Sequence, residues 1–477
     1  MVDAALPSTR SMKISRRRRR TVRQSIDERE AGRTEALGAR AEELARFYQG
    51  KVEVVPKVPV RHLEDFALWY TPGIAEVCRT IARDPEQAFD LTGRWNTIAV
   101  VTDGSRVLGL GNIGPRAGLP VMEGKSLLFK FLGGVDAIPL PIDVASPEEL
   151  VETVLRIAPA FGGINLEDIA SPKCFYVLEE LQKRSPIPVW HDDQLGTAAS
   201  TVAGLLNALK LTERSMKSLR TVLLGAGAAN LVTVRLLRAL GHDPRRITLV
   251  DQKGILDAER EDLDELQLHN RWKYHVALET RGGGRRGGLP EALVGADVLL
   301  AASTPDPDLV KAEMIRSMAK DPIVFALANP APEIWPDTAK AAGAAIVATG
   351  RSDFPNQVNN SLIFPAVFRG VLDARAKSIP DEIVLAAARE LAARASDRGL
   401  TPNHILPTME ETDAFPYVAA TVAAEAVRLG IARIRRSREE FYQQAKERML
   451  RPHRLAKVLM RSGLIPPMPP PRTKVRG

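Results

Sequence analysis

T-V-L-L-G-A-G-A-A-N, Thr221 to Asn230, leads into a helix-like run to Leu240, then Gly241, then an apolar stretch from Ile247 to Val250 that closes on Asp251. Four apolar residues are too few for a helix, so Thr221–Leu224 reads as a strand. Gly225-Ala226-Gly227 is a tight turn, and Gly241 caps the helix that follows. In such a strand–turn–helix, backbone N–H groups and the helix N-terminus face an anion, which suits a pyrophosphate. Gly225, Ala226, Gly227, Ala228 and Ala229 are therefore candidate cofactor residues. Asp251 lies 21 residues after Asn230, where the ribose hydroxyl acceptor belongs. A carboxylate there repels a 2′-phosphate and favours NAD. Lys253, two residues on, offsets it and leaves NADP possible. Asn230 stands in the place of the third glycine, so the close packing of helix on strand is expected to relax.

Ala296–Ala301, Ile323–Ala326 and Ala345–Ala348 read as further short strands. Strands alternating with helices imply a parallel, doubly wound sheet. Arg281–Gly288 (R-G-G-G-R-R-G-G) reads as a loop within this half. Upstream, Thr97–Thr102 is a strand, expected to form a hairpin with Val107–Leu110 ahead of a Gly-rich turn at Gly111–Pro115. A helical run reaches Leu132, Ala137–Val144 is a strand, and Pro147–Ala158 is an amphipathic helix with Glu148 and Glu149 in its first turn. Thr197–Leu211 is a breaker-free helix suited to connecting two halves. The expected fold class is α/β: an N-terminal α/β catalytic domain followed by a Rossmann-type doubly wound NAD(P)-binding domain. The expected boundaries are a disordered or fraying arm over 1–40, a catalytic and metal domain over 41–197, a nucleotide domain over 198–435, and a helix with a basic Pro-rich tail over 436–477.

Acids gather at strand ends in the upstream half. Glu167 and Asp168 follow I-N-L at Ile164. Asp192 and Asp193 close the apolar run Ile187–Trp190. Three carboxylates without Cys or His at zinc spacing suit a hard cation, Mg²⁺ or Mn²⁺. Spacing alone leaves Asp192 and Asp193 as alternatives for the third. His191 reads as a hydrogen-bonded structural residue and Lys130 as a solvated lysine.

The chain has 477 residues and a formal charge of +8. Residues 1–25 and 451–477 carry +7 each, leaving −6 for the remainder, so the body is mildly acidic. That argues against a nucleic-acid-binding fold, whose basic patch belongs on the folded surface. No apolar run is long enough to span a bilayer, and no apolar segment follows the N-terminal basic residues as in a secretory signal. Cys78 and Cys174 give no disulfide framework, so a reduced, cytoplasmic compartment is expected.

Further motifs complete the picture: Y-T-P-G-I-A at Tyr70, V-T-D-G-S-R-V-L-G-L-G-N-I-G-P at Val101, and E-G-K at Glu123. To these are added I-N-L-E-D-I at Ile164, H-D-D-Q-L-G-T-A at His191, F-A-L-A-N-P at Phe325, and T-G-R-S-D-F-P-N-Q-V-N-N at Thr349. Taken in order over residues 43–430, this series resembles the malic enzymes in their short bacterial form. The resemblance implies oxidative decarboxylation of L-malate to pyruvate and CO₂ with reduction of NAD or NADP. A malolactic-type lyase is the alternative, and a non-catalytic nucleotide-binding protein comes last. It implies Tyr70 as general acid and Lys125 as general base. Glu167, Asp168 and Asp193 would be the metal ligands, with Asp192 behind them orienting Asp193 or the main chain. Arg106, Lys125, Asn329 and Asn359 or Asn360 would contact substrate, Asn329 also facing the cofactor. It further implies a homodimer or larger oligomer. Leu195 and Trp69 depart from the residues common at those positions.

Overall fold

The computed structural model describes residues 32–471. Chain contacts divide it into two units, one of residues 1–53 with 459–477 and one of residues 54–458. The described part of the first contains a helix over 32–48. That helix takes in residues 32–40 of the anticipated disordered or fraying arm, and residues 1–31 of that arm lie outside the described residues. In this unit Tyr48 donates to the carbonyl of Pro466 (3.0 Å).

The second unit holds two parallel sheets. The first comprises β1 (Thr97–Thr102), β2 (Asp136–Pro141), β3 (Gly163–Leu166) and β4 (Val189–His191), in the order β2-β1-β3-β4. The second comprises β5 (Thr221–Leu224), β6 (Ile247–Asp251), β7 (Gly254–Ile255), β8 (Val298–Ala301), β9 (Ile323–Ala326) and β10 (Ile346–Thr349), in the order β10-β9-β8-β5-β6-β7. All pairings are parallel except β6 with β7. The continuous apolar composition of these strands follows from burial on both faces: β3, β5, β8, β9 and β10 are buried at every residue.

Two readings change here. Val107–Leu110 forms no strand: one isolated bridge, Val107 to Gly111, closes a tight turn. That turn leads directly into helix α1 (Gly114–Gly133), which includes Leu119–Met122 and carries Lys125. Lys130 is not simply solvated; it pairs with Asp136.

Helix α2 (Thr197–Leu211) is buried along most of its length. Gly204 leaves room for Phe325 of β9, whose ring lies 3.2 Å from where a Cβ would stand. The Asn207 amide donates to the carbonyls of Ala392 and Ile405, each at 2.8 Å. Helix α4 (Phe364–Asp373) lies after β10 in sequence yet packs on the first sheet. Phe129 of α1 meets Phe364 at 4.5 Å and Phe368 at 5.2 Å between ring centroids. Under it Arg369, fully buried, donates to Asp373 (2.8 Å) and Asn96 (2.5 Å).

Candidate active site

Parallel strands bring their carboxyl ends to one edge, and ligands of open α/β sheets bind there. The neighbours β1, β3 and β4 place Asp103–Arg106, Glu167–Asp168 and Asp192–Asp193 along that edge. The chain bends sharply at two points. Asp168 has φ +53°, a left-handed conformation that a short polar side chain tolerates. Asp192–Gly196 forms a π-type turn that runs into α2, a feature often found at functional sites.

Glu167, Asp168 and Asp193 each offer a carboxylate oxygen within 4.8 Å of the others. The Asp168 N–H donates to Asp193 Oδ2 (2.9 Å), and its carbonyl accepts from the Arg106 N–H (3.0 Å). Burial first, then the Asp193 charge, push the Asp168 carboxyl up to about 7. Burial likewise holds the Glu167 carboxyl high, with the Lys125 ammonium opposing. Oδ2 of Asp168 is buried with no hydrogen-bond donor among the described residues. An all-oxygen donor set, crowded negative charge and an orphaned oxygen fit a hard divalent cation. Of the two aspartates left open by spacing, Asp193 joins this set.

Asp192 has a different place from the one expected: it does not orient Asp193. Its Oδ2 accepts from Lys125 Nζ (2.6 Å) and its Oδ1 from Trp190 Nε1 (3.0 Å). Lys125 Nζ also lies 2.9 Å from Glu167 Oε1 and 4.3 Å from the centre of the Phe364 ring. Burial alone would pull the Lys125 pKa down; the Asp192 and Glu167 carboxylates outweigh it and hold it above the ordinary lysine value. Gly196 makes room for this arrangement. A methyl there would overlap Asp192 Oδ1, 2.9 Å from its Cγ and 3.0 Å from Asn360 Cβ. Asn165, two residues before Glu167 on the same strand face, donates to Glu167 Oε2 (2.9 Å). Its period-2 spacing was a usable signal that sequence reading passed over.

His191 is not hydrogen-bonded as expected. Both ring nitrogens are buried with no hydrogen-bond partner among the described residues, Nδ1 lies 3.7 Å from Asp193 Oδ2, and burial lowers its pKa to about 4. Arg106 reaches outward with no side-chain partner among the described residues. Its loop approaches the Asn329–Pro330 turn: a Cβ on Gly109 would lie 3.3 Å from the Asn329 carbonyl oxygen. Asn359 is occupied by local bonds, donating to the Gly350 carbonyl (3.2 Å) and accepting from the Ser361 N–H (2.9 Å). Asn360, beside Gly196, has a side chain without such bonds. Tyr70 is 68% exposed, as is Leu68 at 67%. No hydrogen bond or ring contact among the described residues joins Tyr70 to Lys125 or to the carboxylates.

In the second sheet, Gly225 has φ +99°, and a Cβ would overlap the Ala302 carbonyl oxygen and stand 3.2 Å from Ser303 Cα. The turn after β5 is thus pressed against the one after β8, while above Gly227 the space is open. Asn230 does not relax the packing. It is buried, and its amide donates to the carbonyls of Leu224 (2.9 Å) and Gly225 (2.8 Å), stitching helix α3 (Ala228–Ala239) to the strand. Asp251 is neutralised by residues that sequence reading missed. Arg260 Nη1 donates to Oδ1 (2.9 Å) and Lys273 pairs with Oδ2. Burial raises the Asp251 carboxyl, but Lys273 and Arg260 outweigh it and hold it low. Lys253, expected to do this, reaches Asp262 instead (2.9 Å).

Comparison with known proteins agrees with this geometry. The family profile described as Malic enzyme, N-terminal domain, matches residues 49–182, and the one described as Malic enzyme, NAD binding domain, matches residues 195–428. The bifunctional malic/malolactic enzyme of Bacillus subtilis (strain 168) is 46% identical over 413 residues, covering 86% of this chain and 98% of its own. The NADP-dependent malic enzyme of Halomonas elongata is 43% identical, with 82% and 93% covered. Crystal structures of the Entamoeba histolytica malic enzyme (TM-score 0.88, 43% identity, 91% of each chain) and the Pyrococcus horikoshii malic enzyme (TM-score 0.82, 45% identity, 87% and 95%) share the fold. This chain belongs to the malic enzyme family.

Proposed function

We propose that this protein catalyses the oxidative decarboxylation of L-malate to pyruvate and CO₂, reducing NAD or NADP. The observation that carries this reading is Lys125 held between Asp192 and Glu167 beside the Glu167–Asp168–Asp193 set. Those three carboxylates are the proposed ligands of Mg²⁺ or Mn²⁺. When bound, the cation supplies positive charge that acidifies the substrate hydroxyl and stabilises the charge that decarboxylation leaves behind. The dinucleotide, seated at Gly225–Ala229 with Asp251 and Asn329 alongside, supplies the hydride acceptor.

Lys125 takes the proton of the malate hydroxyl at Nζ, which it can do only as the neutral amine. Asp192 and Glu167 hold it as an ammonium in this structure; its burial and the positive charge of a cation at the neighbouring carboxylates would favour the neutral form. Arg106 binds a malate carboxylate with a guanidinium that has no side-chain partner among the described residues to give up. Asn329 and Asn360 orient the substrate; Asn359 supports them through its own backbone bonds. Tyr70 donates the proton to C3 that completes pyruvate. Its hydroxyl reaches substrate only when the exposed segment around it becomes covered, by its own movement or by a second copy of the chain. The exposed apolar side chains Leu63, Phe66, Leu68 and Trp69 on that segment support a homodimer or larger oligomer, which light scattering in solution tests directly. Among the described residues no helix is long and apolar enough to cross a membrane, and a cytoplasmic location is part of the same proposal.

The test is incubation with L-malate, Mn²⁺ and either NAD or NADP, with the product identified. Pyruvate matched by reduced nucleotide supports the proposal. Lactate without net reduction would move the protein to the malolactic reaction, the second activity in the name of the B. subtilis relative. Intact malate would refute both.

A further inference from the structure

The nucleotide-binding sheet has a second charged end. Arg220 immediately precedes β5 and Arg246 immediately precedes β6, so both stand at the amino-terminal edge, opposite Gly225 and Asp251. Strands of this length put roughly 13–17 Å between the two edges. A cavity of about 490 Å³ opens there, lined by Arg220, Arg245, Arg246 and Arg285 together with Asp243. Its wall is the Arg281–Gly288 loop, a motif with no part in the reaction. Gly282, Gly283 and Gly284 all have positive φ, and a Cβ on Gly283 would overlap the Thr248 hydroxyl and lie 3.2 Å from the Ile247 carbonyl oxygen. Only glycine lets the loop lie this close against β6 and leave the concavity open.

None of the four arginines forms an ion pair with a carboxylate among the described residues. Two are anchored on backbone carbonyls: Arg285 Nη1 on Glu291 (3.0 Å) and Ala292 (2.7 Å), and Arg246 Nη1 on Ser218 (3.3 Å). Burial, followed by the like charge of Arg220, lowers the Arg285 pKa, as expected of cations gathered without counter-charge. The lining acid, Asp243, is turned to the Arg245 N–H (2.9 Å). Nearby Asp297 accepts from the Arg220 N–H (2.9 Å) and lies 3.5 Å from Arg214 Nε. A planar guanidinium matches two phosphate oxygens at once, and the volume lies within the range of small-molecule sites.

We propose that this cavity binds a small molecule carrying two or more phosphate groups, at a site separate from the dinucleotide turn. A concave site with two anchored guanidinium groups and two free to close on a ligand favours a compact polyanion over a nucleic-acid strand, which needs an extended groove and stacking surfaces. Because β5 and β6 run from this cavity to Gly225 and Asp251, the ligand sits where it can alter cofactor affinity.

The test uses the full chain in EDTA at physiological salt, saturated with NAD, titrated calorimetrically with inorganic pyrophosphate. Saturable binding at one site per chain is expected, weakened at least about tenfold by Arg245→Gln. The Arg245 side chain makes no hydrogen bond or ion pair among the described residues, so this variant keeps the wild-type melting temperature. Arg220→Gln provides an independent repeat. Malate-dependent nucleotide reduction without pyrophosphate stays unchanged in both. Absence of saturable heat overturns the proposal, as does affinity indifferent to both substitutions. Arginine-dependent binding of a short oligouridylate in place of pyrophosphate overturns it as well. If neither NAD nor NADP binds, the proposed reaction is in error, while the Arg245 and Arg220 dependence still decides this site.

Discussion

Gly196→Ala isolates the packing that holds Lys125. The backbone at Gly196, φ −67°, suits alanine, so the effect is not conformational. The added methyl would overlap Asp192 Oδ1 and lie 2.9 Å from Cγ, where 3.4 Å is ordinary contact, so the carboxylate must retreat by at least about 0.5 Å and Oδ1 by more. It has nowhere to go: Asp192 is fully buried, and its two oxygens hold Trp190 Nε1 at 3.0 Å and Lys125 Nζ at 2.6 Å. Overpacking a filled core costs about 1–3 kcal/mol. Pulling a buried carboxylate from its cation adds part of the roughly 3–5 kcal/mol that breaking such a pair costs. We therefore expect about 2–5 kcal/mol of destabilisation and a fall in kcat of about a hundredfold, because a small displacement of a positioned catalytic group has effects of that order. Urea unfolding and steady-state nucleotide reduction measure the two. A variant with wild-type stability and kcat within about twofold would refute both the rigidity assigned to Asp192 and its hold on Lys125.

Other outcomes follow from the same geometry. Asp193→Ala abolishes metal-dependent turnover while circular dichroism shows a retained fold; retained activity would remove Asp193 from the ligand set. Mn²⁺ added to the EDTA-treated protein raises the melting temperature, by about 2.7 kcal/mol of stabilisation at a hundred times Kd; no shift would contradict the acid cluster as its site. Lys273→Ala leaves Asp251 with Arg260 alone and raises KM for NADP relative to NAD by roughly tenfold; an unchanged ratio in paired kinetics excludes Lys273 from cofactor choice. Asp373→Ala strands the fully buried Arg369 and destabilises the protein by about 3–5 kcal/mol, with KM for malate unaltered; a wild-type denaturation midpoint would refute the burial argument.

Local chemistry carries much of the identity of this chain. A run such as Thr221–Leu224 is too short for a helix, and its apolar composition suits a strand buried on both faces, as it is. The Gly225–Gly227 turn and the acids after β3 and β4 sit at strand ends because a strand must stop where its polar residues begin. So the α/β alternation, the nucleotide turn and the acidic pairs were legible from the order of residues. Spacing alone did not say which acid did what, and only the family resemblance singled out Asp193. Asp192 and Asp193 are adjacent, and only the π-type turn sends one to Lys125 and the other to the Glu167–Asp168 set. Lys273, Phe364 and Arg369 act on partners 22 to 273 residues away along the chain, distances no periodicity encodes. Asn230 reads as a flaw in a glycine motif until its amide is seen bridging two carbonyls. The gathering of Arg220, Arg245 and Arg246 is likewise decided by parallel pairing, and Arg285 joins them because the glycines of its loop lie close against β6. Residues that precede separate strands become neighbours because parallel strands all begin at the same edge.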